Sequence, residues 1–344
     1  MMRKILVSAL EPSANLHLKP ILDLLKNEEI MGIYDKSFGK PLYDSSEFSV
    51  MGFFEVFGKL KKAKEALKKM ANLSLEAEHI LLIDSPAFNI PLAKEIRKIN
   101  KDVKITYYIL PKVWAWKQKR VEKVEKYCTN LASIFPFEDR FYNKSVYVGN
   151  PLLDEITLVK ETLTCNDKIA YLPGSRRSEI KRLIGIFKDV AKRLNKHNIV
   201  VIPKHFSNEE IDELYGDLSN FEISRDTRSA LFESDFAFVC SGTATLEAAI
   251  IGVPQVLCYK AKAIDFFIAK RFVKLKYSGL ANIIFDFENE KTLHKEFFQK
   301  DVNVENLINE YEKMDRNEYF NHSQKLRQML NKGSSQDVAK LIRL

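Results

Sequence analysis

The chain has 344 residues, long for one hydrophobic core and comfortable for two. Its 46% apolar and 29% charged residues describe an ordinary soluble α/β protein, and no run approaches the roughly 18 apolar residues of a membrane span. The net charge of +8 suits nucleic acid, an anionic membrane or a phosphorylated substrate, while four cysteines without CxxC spacing and six scattered histidines without HExxH give no dedicated metal site.

In chain order, Lys4–Ala9 reads as a first strand rather than a signal peptide, and Leu18–Lys26 as a helix. His79–Asp84 is a buried-type strand, Ile90–Ile99 a helix, Ile105–Ile109 a strand, Lys117–Tyr127 a helix and Leu131–Phe135 a strand. Polar residues and Pro151 make Asn150–Asp167 a linker. The alternation then restarts: strand Lys168–Tyr171, helix Glu179–Leu194, strands Ile199–Pro203 and Phe236–Cys240, helix Leu246–Ile251 and strand Gln255–Tyr259. The tail from Val304 is helix-like and highly charged. Two doubly wound, Rossmann-like α/β domains are expected, with ligands at the C-terminal ends of their strands across a cleft.

The segment Phe236–Pro254 is the most informative. A strand runs into Ser241-Gly-Thr-Ala-Thr245 and then into a helix carrying Glu247 and ending at Gly252 and Pro254. A helix start of this kind directs free N–H groups and the positive end of the dipole at one spot, which suits a diphosphate. Ser241, Thr243 and Thr245 would add hydroxyl donors around Ala244, Gly242 would let the backbone approach, and Glu247 could accept from sugar hydroxyls. An ordinary capped helix is the competing reading. A second turn, Leu172-Pro-Gly-Ser-Arg-Arg177, offers Gly174 and Ser175 for the backbone and Arg176 and Arg177 for phosphate oxygens. It lacks the Walker A spacing, and a basic exposed loop is its plain alternative.

Asp84 ends its strand and precedes Ser85-Pro86, so it is either a general base at a cleft mouth or an N-cap. Trp114 and Trp116 precede a basic run ending at Arg120; they either touch lipid or bases, or pack at an element end. Met51, Phe53, Phe54 and Phe57 lie in an apolar stretch before Lys59–Met70, which holds six lysines and one glutamate. Leu60, Ala63, Leu67 and Met70 would share one side of that helix, which suits either an anionic membrane surface or a solvated helix over a core. Phe266, Phe267, Ile268, Phe272 and Val273, interleaved with basic residues, form a second apolar-basic stretch.

With these residues assembled, the sequence resembles the lipid A disaccharide synthases, inverting glycosyltransferases of Gram-negative bacteria. The resemblance runs over nearly the whole chain: Val50–Val56, Ile83-Asp-Ser-Pro-Ala-Phe-Asn89, Pro111-Lys-Val-Trp-Ala-Trp116 with Arg120, Phe135-Pro-Phe-Glu138, Val148-Gly149 with Pro151-Leu152, Leu172-Pro-Gly-Ser-Arg176, Ser241-Gly-Thr-Ala-Thr-Leu-Glu247, Ala269-Lys-Arg271 and Leu280-Ala-Asn282. It implies a two-domain fold of the B type: an acceptor-side domain over residues 1–155 with a membrane-facing segment at 50–70, a UDP-sugar domain over 156–325, and a helical tail over 326–344 packing back on the first domain or on a partner subunit. The implied donor is UDP-2,3-diacylglucosamine and the acceptor 2,3-diacylglucosamine 1-phosphate. The product is the β-1,6-linked disaccharide, with no metal or other cofactor.

Asp84 matches the family's acid, and Glu11 and Ser13 survive from an N-terminal loop that otherwise departs from the family pattern, with Leu10, Ala14 and Asn15 replacing two glycines and an acid. Leu110 and Asn150 replace a serine and a histidine. Asn282 and Gln299 are donor-site residues by resemblance. The implied location is the cytoplasmic face of the inner membrane, with a possible homodimer and no nucleic acid. The alternatives are a related B-type glycosyltransferase or epimerase using a UDP-N-acetylglucosamine-type donor, and a nucleic-acid-binding protein; the second predicts binding that falls steeply with salt.

Overall fold

The computed structural model describes residues 2–49, 56–163, 165–261 and 275–344, and side chains for the same residues except 49 and 56–60. The chain divides into two compact units, Met1–Asp154 with Leu330–Leu344, and Glu155–Met329.

Unit 1 is built on strands β1 (Arg3–Ser8), β2 (Glu28–Tyr34), β3 (Tyr43–Asp44), β4 (His79–Ile83), β5 (Lys104–Tyr108), β6 (Asn130–Ser133) and β7 (Ser145–Tyr147). They form one sheet in the order β3-β2-β1-β4-β5-β6-β7, with every neighbouring pair parallel. Helices α1 (Pro12–Leu24), α2 (Ser46–Ser49), α3 (Val56–Leu73), α4 (Pro86–Ile99), α5 (Arg120–Tyr127) and α6 (Pro151–Glu155) lie between and after them. β4 is buried at all five positions, as expected of a central parallel strand covered on both faces. Leu6, Leu82, Ile105 and Leu131 pack with Leu92 and Ile96 of α4 and with Ala66 and Met70 of α3.

Unit 2 contains β8 (Lys168–Leu172), β9 (His197–Val201), β10 (Glu222–Ser224), β11 (Phe236–Cys240), β12 (Gln255–Tyr259) and β13 (Glu296–Phe298), again all parallel, in the order β10-β9-β8-β11-β12-β13. Its helices are α7 (Arg177–Leu194), α8 (Asn208–Tyr215), α9 (Thr227–Glu233), α10 (Thr243–Ile251), α11 (Leu280–Phe287), α12 (Val304–Lys313) and α13 (Arg316–Leu330). An aromatic stack fills the core: Tyr171 lies on Phe238 with ring centroids 5.4 Å apart, and Phe187 tilts against both. α10 is apolar on nearly every side because it is buried on nearly every side.

In each sheet the strand order reverses beside the first strand of the unit. The reversal lies between β1 and β4 in unit 1 and between β8 and β11 in unit 2. Loops leaving the carboxyl ends of those strands splay apart and leave a crevice, the usual ligand position in open α/β sheets. The last helix, α14 (Ser334–Arg343), completes unit 1. Tyr108 Oη and Ser334 Oγ share a 2.7 Å hydrogen bond. The Gly333 and Ser335 amides donate to the Asp154 carboxylate at 2.8 and 3.1 Å, and Arg343 donates to Leu24 O at 2.6 Å.

Some local expectations need correcting. α1 begins at Pro12 instead of Leu18, since proline at the first helical position has the right φ and no N–H to leave unpaired. The expected linker contains α6. Of the apolar stripe of α3, Met70 is fully buried and Leu67 packs against the unit 1 cluster, so these two residues face the core; the side chain of Leu60 lies outside the description. Met51, Phe53 and Phe54, and the stretch Phe266–Val273, lie outside the described residues; Phe57 is in the first turn of α3, with its side chain outside the description. Among the described residues no helix is long and apolar enough to cross a membrane.

Candidate active site

At the switch point of unit 1, Asp84 and Ser85 follow β4 with φ of +48° and +42°. The left-handed region is costly for residues with a Cβ, so the turn needs support from its surroundings. Asn89 provides it. Its amide donates to Ile83 O at 3.1 Å and Asp84 O at 2.8 Å, while its carbonyl accepts from Ser8 Oγ at 2.6 Å. Tyr107 Oη also donates to Asp84 O, at 2.7 Å. The N-cap alternative for Asp84 falls away, because Ser85 holds the cap position of α4 and no side chain caps that helix.

The Asp84 carboxylate is thereby directed to a half-buried position. Burial raises its pKa above the usual carboxylate value, opposed by Lys112, the Ser85 amide and His17. Glu11 lies close by, accepting a long 3.5 Å hydrogen bond from Ser85 Oγ; burial raises its pKa too, and the charge on Asp84 adds to the rise. Ser13 is exposed in the first turn of α1.

Asn15, which replaces an acid of the family pattern, is buried and donates to Ala9 O and Glu11 O while accepting from the Asp35 amide at 2.8 Å. An amide can make these two donated bonds and one accepted bond, whereas an ionised carboxylate could donate none. Asn150 is likewise structural, buried and bonded to Ile134 O and the Leu152 amide.

Trp114 is a core residue, only 6% exposed, and the lipid-facing expectation for it is corrected. Its ring meets Phe135 and Phe137 edge-on, and Nε1 donates to Glu138 Oε1 at 3.1 Å. Glu138 is fully buried and also accepts from the Ile134 and Phe135 amides; burial pushes its pKa up to about 7. Trp116, in contrast, is exposed, with Lys117 Nζ 4.2 Å and the Arg120 guanidinium 5.3 Å from its ring centre.

Unit 2 brings its two predicted turns to the ends of β8 and β11, adjacent parallel strands. Gly174 has φ of +111°, and a Cβ there would stand 2.7 Å from Glu179 Oε2, so the turn requires glycine. Glu179, not singled out from sequence, accepts from the Arg176 amide at 3.2 Å and from its guanidinium at 2.9 Å. The Arg-x-x-Glu spacing is the signal that could have found it. Arg176 remains largely exposed beside exposed Ser175, whereas Arg177 is paired with Glu210 and Glu213.

At the second turn Gly242 caps α10 with φ of +155° and ψ of −165°, a region open essentially to glycine, and no side chain caps the helix. Ser241, Thr243 and Ala244 lie partly or fully exposed around this start. Thr245 does not: it is fully buried and its hydroxyl donates to Gly242 O at 2.8 Å, so it locks the turn instead of offering a hydroxyl to a ligand. Glu247 is held by Arg228 Nε at 3.2 Å, and Arg228 also reaches Glu155 Oε2 at 3.0 Å. Sequence reading missed Arg228, which lies on α9 away from both motifs.

Asn282 is corrected as a ligand residue. It is fully buried, donates to His294 O and Glu296 Oε1 at 2.8 Å each, and accepts from the Leu293 and His294 amides, which exhausts its capacity. Gln299 pairs with both the N–H and C=O of Ala261. Among the described residues no cluster of His, Cys, Asp and Glu has the arrangement of a metal site.

The fold and these turns define the class. Solved structures that cover the chain almost end to end include MurG of Acinetobacter baumannii, with a TM-score of 0.62, 16% identity and 99% of each chain covered. They also include a UDP co-structure of MnaA from S. aureus, with a TM-score of 0.64, 13% identity and coverage of 100% of this chain and 96% of that one. The architecture is two Rossmann-like α/β units, the fold of B-type glycosyltransferases and UDP-sugar epimerases. Within it, the profile of the Lipid-A-disaccharide synthetase family matches residues 5–341. Lipid-A-disaccharide synthase of Campylobacter jejuni is 49% identical over 99% of each chain, and that of Helicobacter pylori strain Shi470 is 46% identical over 98% of this chain and 97% of its own. The chain belongs to the lipid-A-disaccharide synthase family.

Proposed function

We propose that this enzyme transfers 2,3-diacylglucosamine from its UDP derivative to the 6-hydroxyl of 2,3-diacylglucosamine 1-phosphate, forming the β-1,6 disaccharide of lipid A and releasing UDP. Family membership favours this reaction over an epimerase or another B-type transfer. The acceptor oxygen attacks the anomeric carbon from the face opposite the departing UDP, so one C–O bond forms as the other breaks and the configuration inverts. The hydroxyl proton goes to a base, and the bond electrons leave with the UDP oxygen.

Asp84 is that base. The supporting observation is its carboxylate at the switch point of unit 1, in a left-handed turn braced by Asn89 and Tyr107, with a pKa raised toward the working range of a base. Glu11 shares its surroundings, and its own pKa is raised by burial and by the charge on Asp84. The charge growing on UDP falls to unit 2. The uncapped start of α10 supplies N–H groups and the helix dipole, with Ser241 and Thr243 beside it; Arg176, steadied by Glu179, adds a cation with Gly174 and Ser175. Glu247, oriented by Arg228, accepts from the donor's sugar hydroxyls.

Both substrates are lipids, so the enzyme works as a peripheral protein at an anionic membrane surface. The exposed Lys61, Lys64 and Lys68 of α3 are suited to that contact.

The reaction is tested by mass spectrometry of the product from the two named substrates. A disaccharide 1-phosphate carrying four acyl chains is expected, and its absence overturns the assignment. Co-sedimentation with anionic but not neutral vesicles tests the membrane contact.

A further inference from the structure

The proposed acceptor carries its phosphate on C1 and its reacting hydroxyl on C6, which hangs from C5. C1 and C5 are the two carbons bonded to the ring oxygen. A group that binds the phosphate must therefore stand beside the group that takes the hydroxyl proton.

β5 is the parallel neighbour of β4, and the loops leaving the two strands are joined where they begin: the Asp84 amide donates to Tyr108 O at 3.0 Å. Four residues past β5 comes Lys112. Leu110, Pro111, Val113 and Trp114 around it are all buried, and Lys112 alone is exposed. The loop beneath it is fixed: Tyr142 Oη donates to Pro111 O at 2.8 Å, and Trp114 is anchored on Glu138. The Ala115 and Trp116 amides donate to Lys112 O at 3.1 and 3.3 Å, so the backbone of this residue is held while its side chain points away from the packed loop.

Among the described residues no hydrogen bond or ion pair engages the Lys112 ammonium, although it is close enough to favour the ionised form of both Asp84 and Glu138. The next cations along the loop are engaged: Lys117 and Arg120 with the Trp116 ring.

We propose that Lys112 binds the anomeric phosphate of the acceptor and so sets the acceptor's 6-hydroxyl against Asp84. This rests on the reaction proposed above. An ammonium with three rotatable donors suits a phosphate group that must be gripped without a fixed approach angle. The rigid loop places that charge at little ordering cost, and a sugar lacking the phosphate would lose the grip that orients it.

The test compares two acceptors, 2,3-diacylglucosamine with and without its 1-phosphate, at saturating donor, using the wild-type enzyme, Lys112→Met and Lys112→Arg. The expected result is a KM for the phosphorylated acceptor raised roughly 10- to 100-fold in Lys112→Met, the scale of one charged hydrogen bond. kcat for the phosphorylated acceptor should fall as well, because an acceptor bound without its phosphate grip is not held against Asp84, whereas KM and kcat for the unphosphorylated acceptor should stay the same, and Lys112→Arg should recover most of the loss. An equal penalty on both acceptors overturns the proposal, because Lys112 would then act through Asp84 or the loop; so does no change with either. Failure of the wild-type enzyme to make a disaccharide from either acceptor instead overturns the reaction itself.

Discussion

The two switch points have the same topology but use their residues in opposite ways. In unit 1 the buried amides Asn15 and Asn89 are engaged with the backbone, and this leaves charged side chains (Asp84, Glu11 and Lys112) at the ends of the strands. In unit 2 most of the polar side chains themselves are committed inside the protein: Thr245 to Gly242, Asn282 to three neighbours and Gln299 to Ala261. What faces outward there is backbone around two glycines and a helix start, with Ser175, Arg176, Ser241 and Thr243 beside it. The two tasks proposed for the units account for this difference. Moving a proton needs a titratable group whose pKa can be tuned by burial, whereas stabilising a diphosphate needs fixed dipoles that never change their protonation. Substitutions should therefore separate into those that stop chemistry in unit 1 and those that reshape a turn in unit 2.

The largest effect expected is at Asp84. Asp84→Ala should lower kcat by about 10²–10⁴, the usual worth of a positioned base, and leave the affinity for UDP nearly unchanged in calorimetry. Near-normal turnover would remove Asp84 as base and shift attention to Glu11. In the wild-type enzyme the raised pKa of Asp84 should move the acidic limb of kcat/KM above the usual carboxylate value, because the base must be ionised to act.

Next comes Asn282→Ala, which strips a fully bonded amide from the buried contact between α11 and the loop before β13. The Leu293 and His294 amides lose their acceptor, and the cost should be about 3 kcal/mol, seen as a drop in urea midpoint. If stability held and only donor KM rose, Asn282 would be a ligand residue after all and the contrast between the units would weaken.

Much of this was legible beforehand. The alternation of apolar strands with helices gives two parallel sheets, and the Ser241–Glu247 and Leu172–Arg176 turns can be read directly as strand-to-helix starts. β2 escaped notice because Glu28-Glu-Ile-Met-Gly-Ile-Tyr34 is polar at its start and carries a glycine. β10 and β13 escaped because each is three residues long. Within the site, residue type alone could not say whether Thr245 or Asn282 faces a ligand or the backbone, since both choices need the same chemistry. That depends on which side of a turn becomes buried, a property of packing partners far away in sequence. Asn89 shows the same limit: its contact with Ser8 spans 81 positions.

Acid should weaken both units, through different residues. His79 in β4 and His294 before β13 are buried, with pKa values lowered to about 4 and about 3 by desolvation. The unfolded chain takes up a proton near pH 6.5 and the folded chain does not, so the stability contributed above pH 6.5 is lost as pH falls through 6.5 toward 4 or 3. Glu138, raised to about 7, acts in the reverse direction: its protonated form favours the fold below pH 4.5, and that contribution is lost between 4.5 and 7. Urea unfolding of wild type and His79→Asn at pH 7 and pH 5 isolates the contribution of one histidine. The variant should gain about 2 kcal/mol relative to wild type on going to pH 5. An unchanged difference would mean that His79 titrates in the folded chain as it does in the unfolded one.

The smallest effect separates hydroxyl from backbone at the donor turn. Thr245→Val keeps the shape of the side chain and removes its one hydrogen bond to Gly242 O. The expected cost is about 1 kcal/mol of stability with donor KM unchanged, because the Thr245 hydroxyl is turned into the protein. Gly242→Ala should do the reverse in kind. Its Cβ would meet no neighbour, yet the backbone conformation excludes it, so the turn must shift and with it the N–H groups at the start of α10. Donor KM should rise in Gly242→Ala more than in Thr245→Val. Equal rises in the two variants would mean that the hydroxyl does reach the donor, and that unit 2 relies on side chains as much as unit 1 does.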